Sequence, residues 1–467
     1  MPELGGVVLL LGEETMNVMF NPKGKAAAML AMATLLLLAV PLVFLSCRAR
    51  GTDADKAKQA ASAAPDASPA TGEAKPDTPT KSGVEAVVEG NNAFALELYQ
   101  RLQAENAGKN LFFSPFSIST GLAMAYAGAR GTTEKQMAQV LHFTLDQKDL
   151  HPAFQSMLAQ VNPKEGPREC EVHIANALWG QTGYHWLPDF LDLTRARYDA
   201  VLNEVDFVRD PGGARRTINA WAEDRTQGKI RDVLNAGDID ALTRLLLTNA
   251  IYFKGDWLEQ FEYSRTRVEP FYLTDGKLVL APLMNQTEHH PYAKAGGVQI
   301  LELAYKGEEL SMVLFLPKKV DGLASLEKSL TSENLQKWTR ALEDQEVNVV
   351  LPRFAAECGF NMKETLASMG MVDAFMRGKA DFSGMNGAVT GEERLFISQV
   401  IHKAFIGVNE VGTEAAAVTA ATMELLGLPD DIKGPPLFRA DHPFLFLIRY
   451  NKTGSILFLG RLMNPEA

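Results

Sequence analysis

The sequence predicts an α+β domain, with helices in its first part and strands through most of the rest. Apolar residues recur at helical spacing early in the chain, whereas short strand-like runs dominate from residue 172 onward. Because the two patterns are segregated, they favour α+β over an alternating βαβ sheet. The 467 residues are 46% hydrophobic and 22% charged, which is enough for a large core.

Three helices are predicted first, at 92–105, 117–129 and 133–141. The first of them carries its apolar residues on one face, among them Phe94 and Leu98. Strands are predicted at 172–179, 245–253, 298–304, 310–316, 347–351, 396–408, 444–450 and 455–461. Residues 451–454 (NKTG) join the last two strands and are typical of a hairpin turn.

The first 47 residues are predicted to be an export signal. An uncharged, largely apolar run at 29–46 follows Lys25, and it ends in VFLS before Cys47. This ending resembles a bacterial lipoprotein signal, in which Cys47 becomes the lipidated first residue, although Phe44 stands where that signal usually has Leu. An uncleaved anchor and simple secretion are the alternatives. Residues 48–85 are rich in Ala, Pro and charged residues and are predicted to be a disordered tether. We therefore expect an exported protein, lipid-anchored on a bacterial envelope or extracellular.

Composition excludes several classes of function. The net charge of −11 argues against a nucleic-acid partner. No nucleophile elbow, phosphate-binding loop or zinc motif is present, and the adjacent His289 and His290 would point to opposite faces of a strand. We therefore predict no enzyme, no metal and no cofactor. The segments around Cys170 and Cys358 look like separate strands, so both are expected to be free, mostly buried thiols.

The segment at 410–421 (EVGTEAAAVTAA) is nearly free of bulky side chains. Its alanines are compatible with a helix or a linker. Read at the period of a strand, one face carries Thr413, Ala415, Ala417 and Thr419, and all four are small and uncharged. That face is suited to enter a crowded sheet, while Glu414 points the other way.

Several longer motifs resemble the serpin family, in the order that the family has them. They are 110–118 (NLFFSPFSI), 226–230 (TQGKI), 247–257 (LTNAIYFKGDW), 351–354 (LPRF), 438–448 (FRADHPFLFLI) and 458–461 (FLGR). The resemblance covers about 88–467, and we place the domain at 86–467. It implies a five-stranded main sheet A, smaller sheets B and C, eight or nine helices, and an exposed reactive centre loop at about 410–437. It also implies a metastable monomer.

The resemblance implies inhibition of serine proteases by a suicide-substrate mechanism. A protease cuts the loop, an acyl-enzyme forms, and the loop inserts into the main sheet before water releases the enzyme. The hinge would comprise Glu410, Gly412 and Thr413 with the small residues that follow, Gly412 supplying backbone freedom. The alternative is a non-inhibitory serpin, such as a chaperone or carrier. No Lys/Arg cluster occurs at 146–168, so no polyanion cofactor is expected.

Shutter residues and the scissile bond are also implied. Ser114, Ser117, Asn249 and His402 match positions where the central strands part, and Trp257 matches the tryptophan under the first point of insertion. Taken alone, His402 is more typical of a satisfied core histidine.

The family is usually cut sixteen residues after the hinge glutamate, which gives Leu426–Gly427 and favours chymotrypsin-, subtilisin- or elastase-like targets. Because the loop is longer than usual, Leu428 and Lys433 are alternatives.

Overall fold

A computed structural model describes residues 81–163, 169–413 and 434–466. The α-helices in these ranges are α1 (Lys81–Glu105), α2 (Pro115–Tyr126), α3 (Gly131–Val140), α4 (Gln147–Val161), α5 (Pro188–Tyr198), α6 (Pro211–Arg225), α7 (Leu323–Ser329), α8 (Ser332–Arg340), α9 (Lys363–Ser368) and α10 (Ser383–Asn386). Two short 3-10 helices span Tyr263–Arg265 and Asp373–Phe375.

The strands in the same ranges are β1 (Leu111–Phe113), β2 (Cys170–Gln181), β3 (Leu202–Val205), β4 (Leu245–Asp256), β5 (Arg267–Tyr272), β6 (Leu278–Ala295), β7 (Val298–Ala304), β8 (Leu310–Pro317), β9 (Glu343–Pro352), β10 (Phe354–Asn361), β11 (Ile397–Val408), β12 (Gly412–Thr413), β13 (Leu437–Arg439), β14 (Phe444–Tyr450) and β15 (Ser455–Leu462).

The three helices predicted from periodicity are confirmed with shifted ends, as α1, α2 and α3. Helix α1 begins at Lys81, inside the stretch predicted to be a tether. Helix α2 begins after Ser114, whose side chain accepts a hydrogen bond from the Ser117 N–H at 3.1 Å, and Pro115 occupies its first turn. Proline is favoured there because its missing N–H has no partner in a first turn.

Five strands form the body of the main sheet, as the resemblance implies, in the order β10, β11, β4, β2, β3, and the last of them is four residues long. Strands β11 and β4 run parallel and pair from Ile397 with Leu245 to Phe405 with Tyr252. The two-residue strand β12 enters between their ends and makes this sheet six-stranded. Helix α2 is buried throughout and contacts both β2 and β4.

The smaller sheets that the resemblance implies are joined: within the described ranges their strands form one continuous nine-stranded sheet. Strand β6 joins them because it is 18 residues long. Its first part pairs with β5, its middle with β9 and its last four residues with β7. The sequence gives little sign of such a strand, since Pro282 and Pro291 interrupt it.

Candidate functional site

The start of the predicted loop is already part of the main sheet. Thr413 pairs with Val408 of β11 on one side and with Gly255 of β4 on the other, and Gly412 pairs with Asp256. Thr413 is fully buried. The first hinge residues therefore hold the ends of β11 and β4 apart.

Gly412 is required by close approach. A Cβ atom at this position would lie 2.1 Å from the Gly255 carbonyl oxygen and 2.6 Å from the Asp256 Cα. The sequence suggested that a glycine is needed here for backbone freedom. The φ angle of Gly412 is not in the left-handed region, so the structure requires glycine for space instead. Any side chain here would push the hinge out of the sheet.

An aromatic shelf lies under the hinge. The Thr413 and Tyr305 hydroxyls are 2.7 Å apart, and the Tyr305 ring stacks on Trp257 at 4.6 Å between centroids. Trp257 holds the chain just before the hinge: its indole N–H donates to the Asn409 carbonyl at 2.9 Å and its backbone N–H to the Val411 carbonyl at 2.8 Å. Trp257 thus contacts the chain at the start of the hinge, and Tyr305, which sequence reasoning missed, lies beside it.

Glu410 anchors the hinge by a buried ion pair. Its carboxylate is inaccessible to solvent and contacts the Arg353 guanidinium, and one carboxylate oxygen accepts from the Thr266 hydroxyl at 2.7 Å. The Glu410 carbonyl also accepts from the Phe261 N–H at 2.9 Å. Arg353 belongs to a motif that the sequence showed, but nothing in that motif indicated its partner.

The predicted shutter residues come together at the centre of the sheet. Asn249 of β4 and His402 of β11 are register partners, and the His402 Nδ1 contacts the Asn249 side-chain oxygen. The Ser114 N–H donates to His402 Nε2 at 3.1 Å, so Nδ1 carries the proton. Burial lowers the pKa of His402 to about 3, which keeps the ring neutral near pH 7.

A second asparagine, Asn176 of β2, completes this network and was missed. The Asn249 amide donates to the Ser117 hydroxyl at 2.6 Å and also contacts Asn176. The Ser117 hydroxyl donates to the Asn176 side-chain oxygen at 3.0 Å, and the Asn176 amide returns a bond to the Ser117 carbonyl at 3.0 Å. The sequence carried one sign of this role, because Asn176 places an amide between two small apolar residues, Ala175 and Ala177. We call Ser114, Ser117, Asn176, Asn249 and His402 the shutter.

Other predicted site residues lie outside the described ranges. They are Ala415, Ala417 and Thr419 of the hinge, the proposed bond Leu426–Gly427 with its alternatives Leu428 and Lys433, and Cys47. Their roles stay predictions. Cys170 and Cys358 are free thiols on β2 and β10, as predicted, although only partly buried. Burial raises the pKa of Cys170 to about 12 and that of Cys358 to about 11.

Comparison with known proteins gives one family. The family model described as Serpin (serine protease inhibitor) matches residues 89–465. The leukocyte elastase inhibitor of Bos taurus is 44% identical over 390 residues, covering 82% of this chain and 100% of the relative. Serpin B6 of Macaca fascicularis is 43% identical over 388 residues, with the same two coverages.

Solved structures agree with the family model. Uncleaved ovalbumin has a TM-score of 0.73 at 30% identity, covering 81% of this chain and 100% of its own. Serpin48 of Tenebrio molitor has a TM-score of 0.71 at 32% identity, covering 81% and 98%.

The same relatives overturn the predicted export. Leukocyte elastase inhibitors and serpin B6 are intracellular clade B serpins, not exported ones, so localisation on a bacterial envelope or outside the cell was wrongly predicted. Lipidation of Cys47 depended on that export. In the described ranges, no helix has the length and apolar character to cross a membrane.

Proposed function

This chain belongs to the serpin family of serine protease inhibitors, and we propose that it traps its target as a covalent acyl complex. It is an inhibitor and not an enzyme, in line with the inhibitors among its relatives. The observation that carries the proposed trapping mechanism is the docked hinge, in which Thr413 already lies between β11 and β4. Insertion would extend this strand, once β11 and β4 have separated further along their length.

The proposed reaction starts at the Leu426–Gly427 bond. The protease serine attacks the Leu426 carbonyl, the Gly427 amine leaves, and an ester joins the enzyme to Leu426. The segment before the cut then extends β12 between β11 and β4. Its inward face, Ala415, Ala417 and Thr419, would bury no charge, and burying one would cost several kcal/mol.

The target class that we propose is elastase- or chymotrypsin-like. Two facts support it: the relatives are named as inhibitors of leukocyte elastase, and Leu426 suits an apolar specificity pocket. A trypsin-like pocket would require a cation, which the alternative Lys433 offers.

The proposal is tested by incubating the protein with neutrophil elastase, chymotrypsin and trypsin. We expect an SDS-stable complex with elastase or chymotrypsin and none with either enzyme after its serine has been blocked. Mass spectrometry of the released C-terminal peptide should show that the peptide begins at Gly427. Cleavage without complex would instead favour a non-inhibitory serpin, and a peptide beginning after Lys433 would move the target to trypsin-like enzymes.

A further inference from the structure

One face of the β5–β6 hairpin is apolar and exposed. On β5 it carries Val268 and Tyr272, exposed to 51% and 42%, and on β6 Leu278 and Leu280, exposed to 53% and 56%. Tyr272 pairs with Leu278, and cross-strand partners share a face of a sheet. Two partly buried prolines, Pro270 and Pro282, complete what we call the apolar hairpin face.

The hairpin does not need these side chains for its own packing. Its other face supplies Phe271, Ala281 and Leu283, all fully buried in the core. A strand with one buried face normally turns polar residues to water. An exposed apolar area that spans both strands of a hairpin is typical of a surface that contacts another protein.

The hairpin is bonded directly to the point where the loop rejoins the fold. The Tyr272 N–H donates to the Asp441 carbonyl at 2.8 Å, two residues beyond the end of β13. Arg439 of β13 pairs with Glu269 on the core-side face of β5, and this leaves the apolar hairpin face free. The described chain that follows the loop, from Gly434 onward, therefore enters the fold next to this hairpin.

The length of the chain limits how far away that occupant can be. Gly427 is seven residues before Gly434, where the described chain resumes. Seven residues span at most about 25 Å when fully extended. A protease domain of about 240 residues has a radius of gyration of about 18 Å. An enzyme bound at Leu426 is thus large enough to reach the hairpin.

We propose that the apolar hairpin face is a docking surface for the target protease, separate from the scissile bond. This inference rests on the proposed function, because it requires a protease on the loop. The partner surface would be apolar, because the charges near this face are already paired. Asp275 and Lys277 in the hairpin turn pair with each other at 2.8 Å, and Glu269 on the opposite face of β5 pairs with Arg439. Docking would slow dissociation of the initial complex and so raise the second-order rate constant for inhibition, without changing which bond is cut.

The test compares two single substitutions that add the same charge at exposed leucines. Leu280→Glu places a carboxylate in the apolar hairpin face. Leu242→Glu places the same carboxylate outside that face, at a leucine that is exposed to 63%. Leu242 lies just before β4, at the end of that strand remote from Gly255 and the hinge. We measure the second-order rate constant for inhibition of whichever of elastase and chymotrypsin forms the complex, together with the stoichiometry of inhibition.

We expect Leu280→Glu to lower the rate constant about tenfold at unchanged stoichiometry, which is the effect of losing one modest contact in a protein interface. Leu242→Glu should leave the rate constant within about twofold of the unaltered protein. The double variant Leu278→Ser/Leu280→Ser, which adds no charge, should follow Leu280→Glu; equal melting temperatures exclude misfolding. Equal rate constants in Leu280→Glu and Leu242→Glu would overturn the docking surface while complexes still formed.

The proposed function would fail by a different readout, the absence of any SDS-stable complex from the unaltered protein. Sedimentation adds one more outcome. If the unaltered protein formed dimers that Leu280→Glu dissociated, with no effect on the rate constant, the face would be a self-contact and the proposal wrong.

Discussion

Strands β11 and β4 meet in two ways along their length. At the shutter they pair directly, and Asn249 and His402 face each other across the ladder. At the hinge, Gly412 and Thr413 lie between their ends. Asn249 and Gly255 are six residues apart on one strand, or about 20 Å. The same sheet is therefore closed at one point and open a short distance away.

The two regions differ in chemistry. The hinge rests on large rings, Tyr305 and Trp257, which offer a fixed surface to an incoming strand. The shutter is a set of small polar groups whose bonds can be exchanged for others when strands part. Under the proposed mechanism, further insertion would have to break the shutter before the new strand could replace its bonds. In that mechanism the shutter, more than the hinge, would set the barrier to insertion.

Thr413→Arg should have the largest effect, because it places a charge at the hinge, where β11 and β4 are held apart. The guanidinium would have to enter the buried site where Thr413 now contacts Tyr305, and burying an unpaired charge costs several kcal/mol. The loop would then insert too slowly, and the protease would hydrolyse the acyl-enzyme. We expect at least about a tenfold loss of SDS-stable complex, with cleavage of the loop maintained.

The matched control for that variant is Thr413→Ser, which keeps the hydroxyl that faces Tyr305. It should form nearly as much complex as the unaltered protein. If Thr413→Arg also kept full complex formation, the docked hinge would have no part in trapping.

Asn249→Ala should open the closed region. It removes the acceptor of the His402 ring N–H and the donor to Ser117, leaving buried groups unsatisfied at a cost of about 2–3 kcal/mol. We expect a lower urea midpoint for the first unfolding transition, with latent or polymeric protein after mild heating. Native gels and residual inhibition measure this.

Asn203→Ala is the control for the shutter variant. Asn203 lies on the short strand β3 at the edge of the same sheet, and its amide donates to the Val201 carbonyl, two residues away. This substitution should change the urea midpoint little. Polymers in equal amounts from both variants would show that the network around Asn249 has no special role.

The sequence predicted those parts that depend on local pattern. The three early helices and the main-sheet strands β2, β4 and β11 follow local periodicity, whereas no range was predicted for β10. Ser114 and Asn249 lie in motifs that can be recognised without coordinates, and His402 lies in a predicted strand. Asn176 was missed because its role depends on its pairing with Asn249 across β2 and β4, which no local pattern encodes. The bond between Glu410 and Arg353 was missed for the same reason, since 57 residues separate them.

Lowering the pH should weaken the shutter. In the unfolded chain a histidine has a pKa of about 6.5, whereas burial lowers the pKa of His402 to about 3. Below pH 6.5 the unfolded chain binds a proton that the native state does not, so this stabilisation is present above pH 6.5 and is lost as pH falls. Between pH 7 and 5.5 the loss from this one group is about 1 kcal/mol. The hinge contacts of Thr413 and Glu410 include no histidine within the described ranges.

His402→Gln isolates that contribution, because a glutamine can still accept from Ser114 and donate to Asn249 but does not titrate. Burial also lowers the pKa values of His151 and His290 to about 4. Both histidines are present in the unaltered protein and in His402→Gln, so they contribute equally to the pH dependence of the two. Urea midpoints at pH 7 and 5.5 should therefore fall further in the unaltered protein than in His402→Gln. An identical fall in both would mean that protonation of His402 does not limit the closed region, and the barrier to insertion would have to lie nearer the hinge.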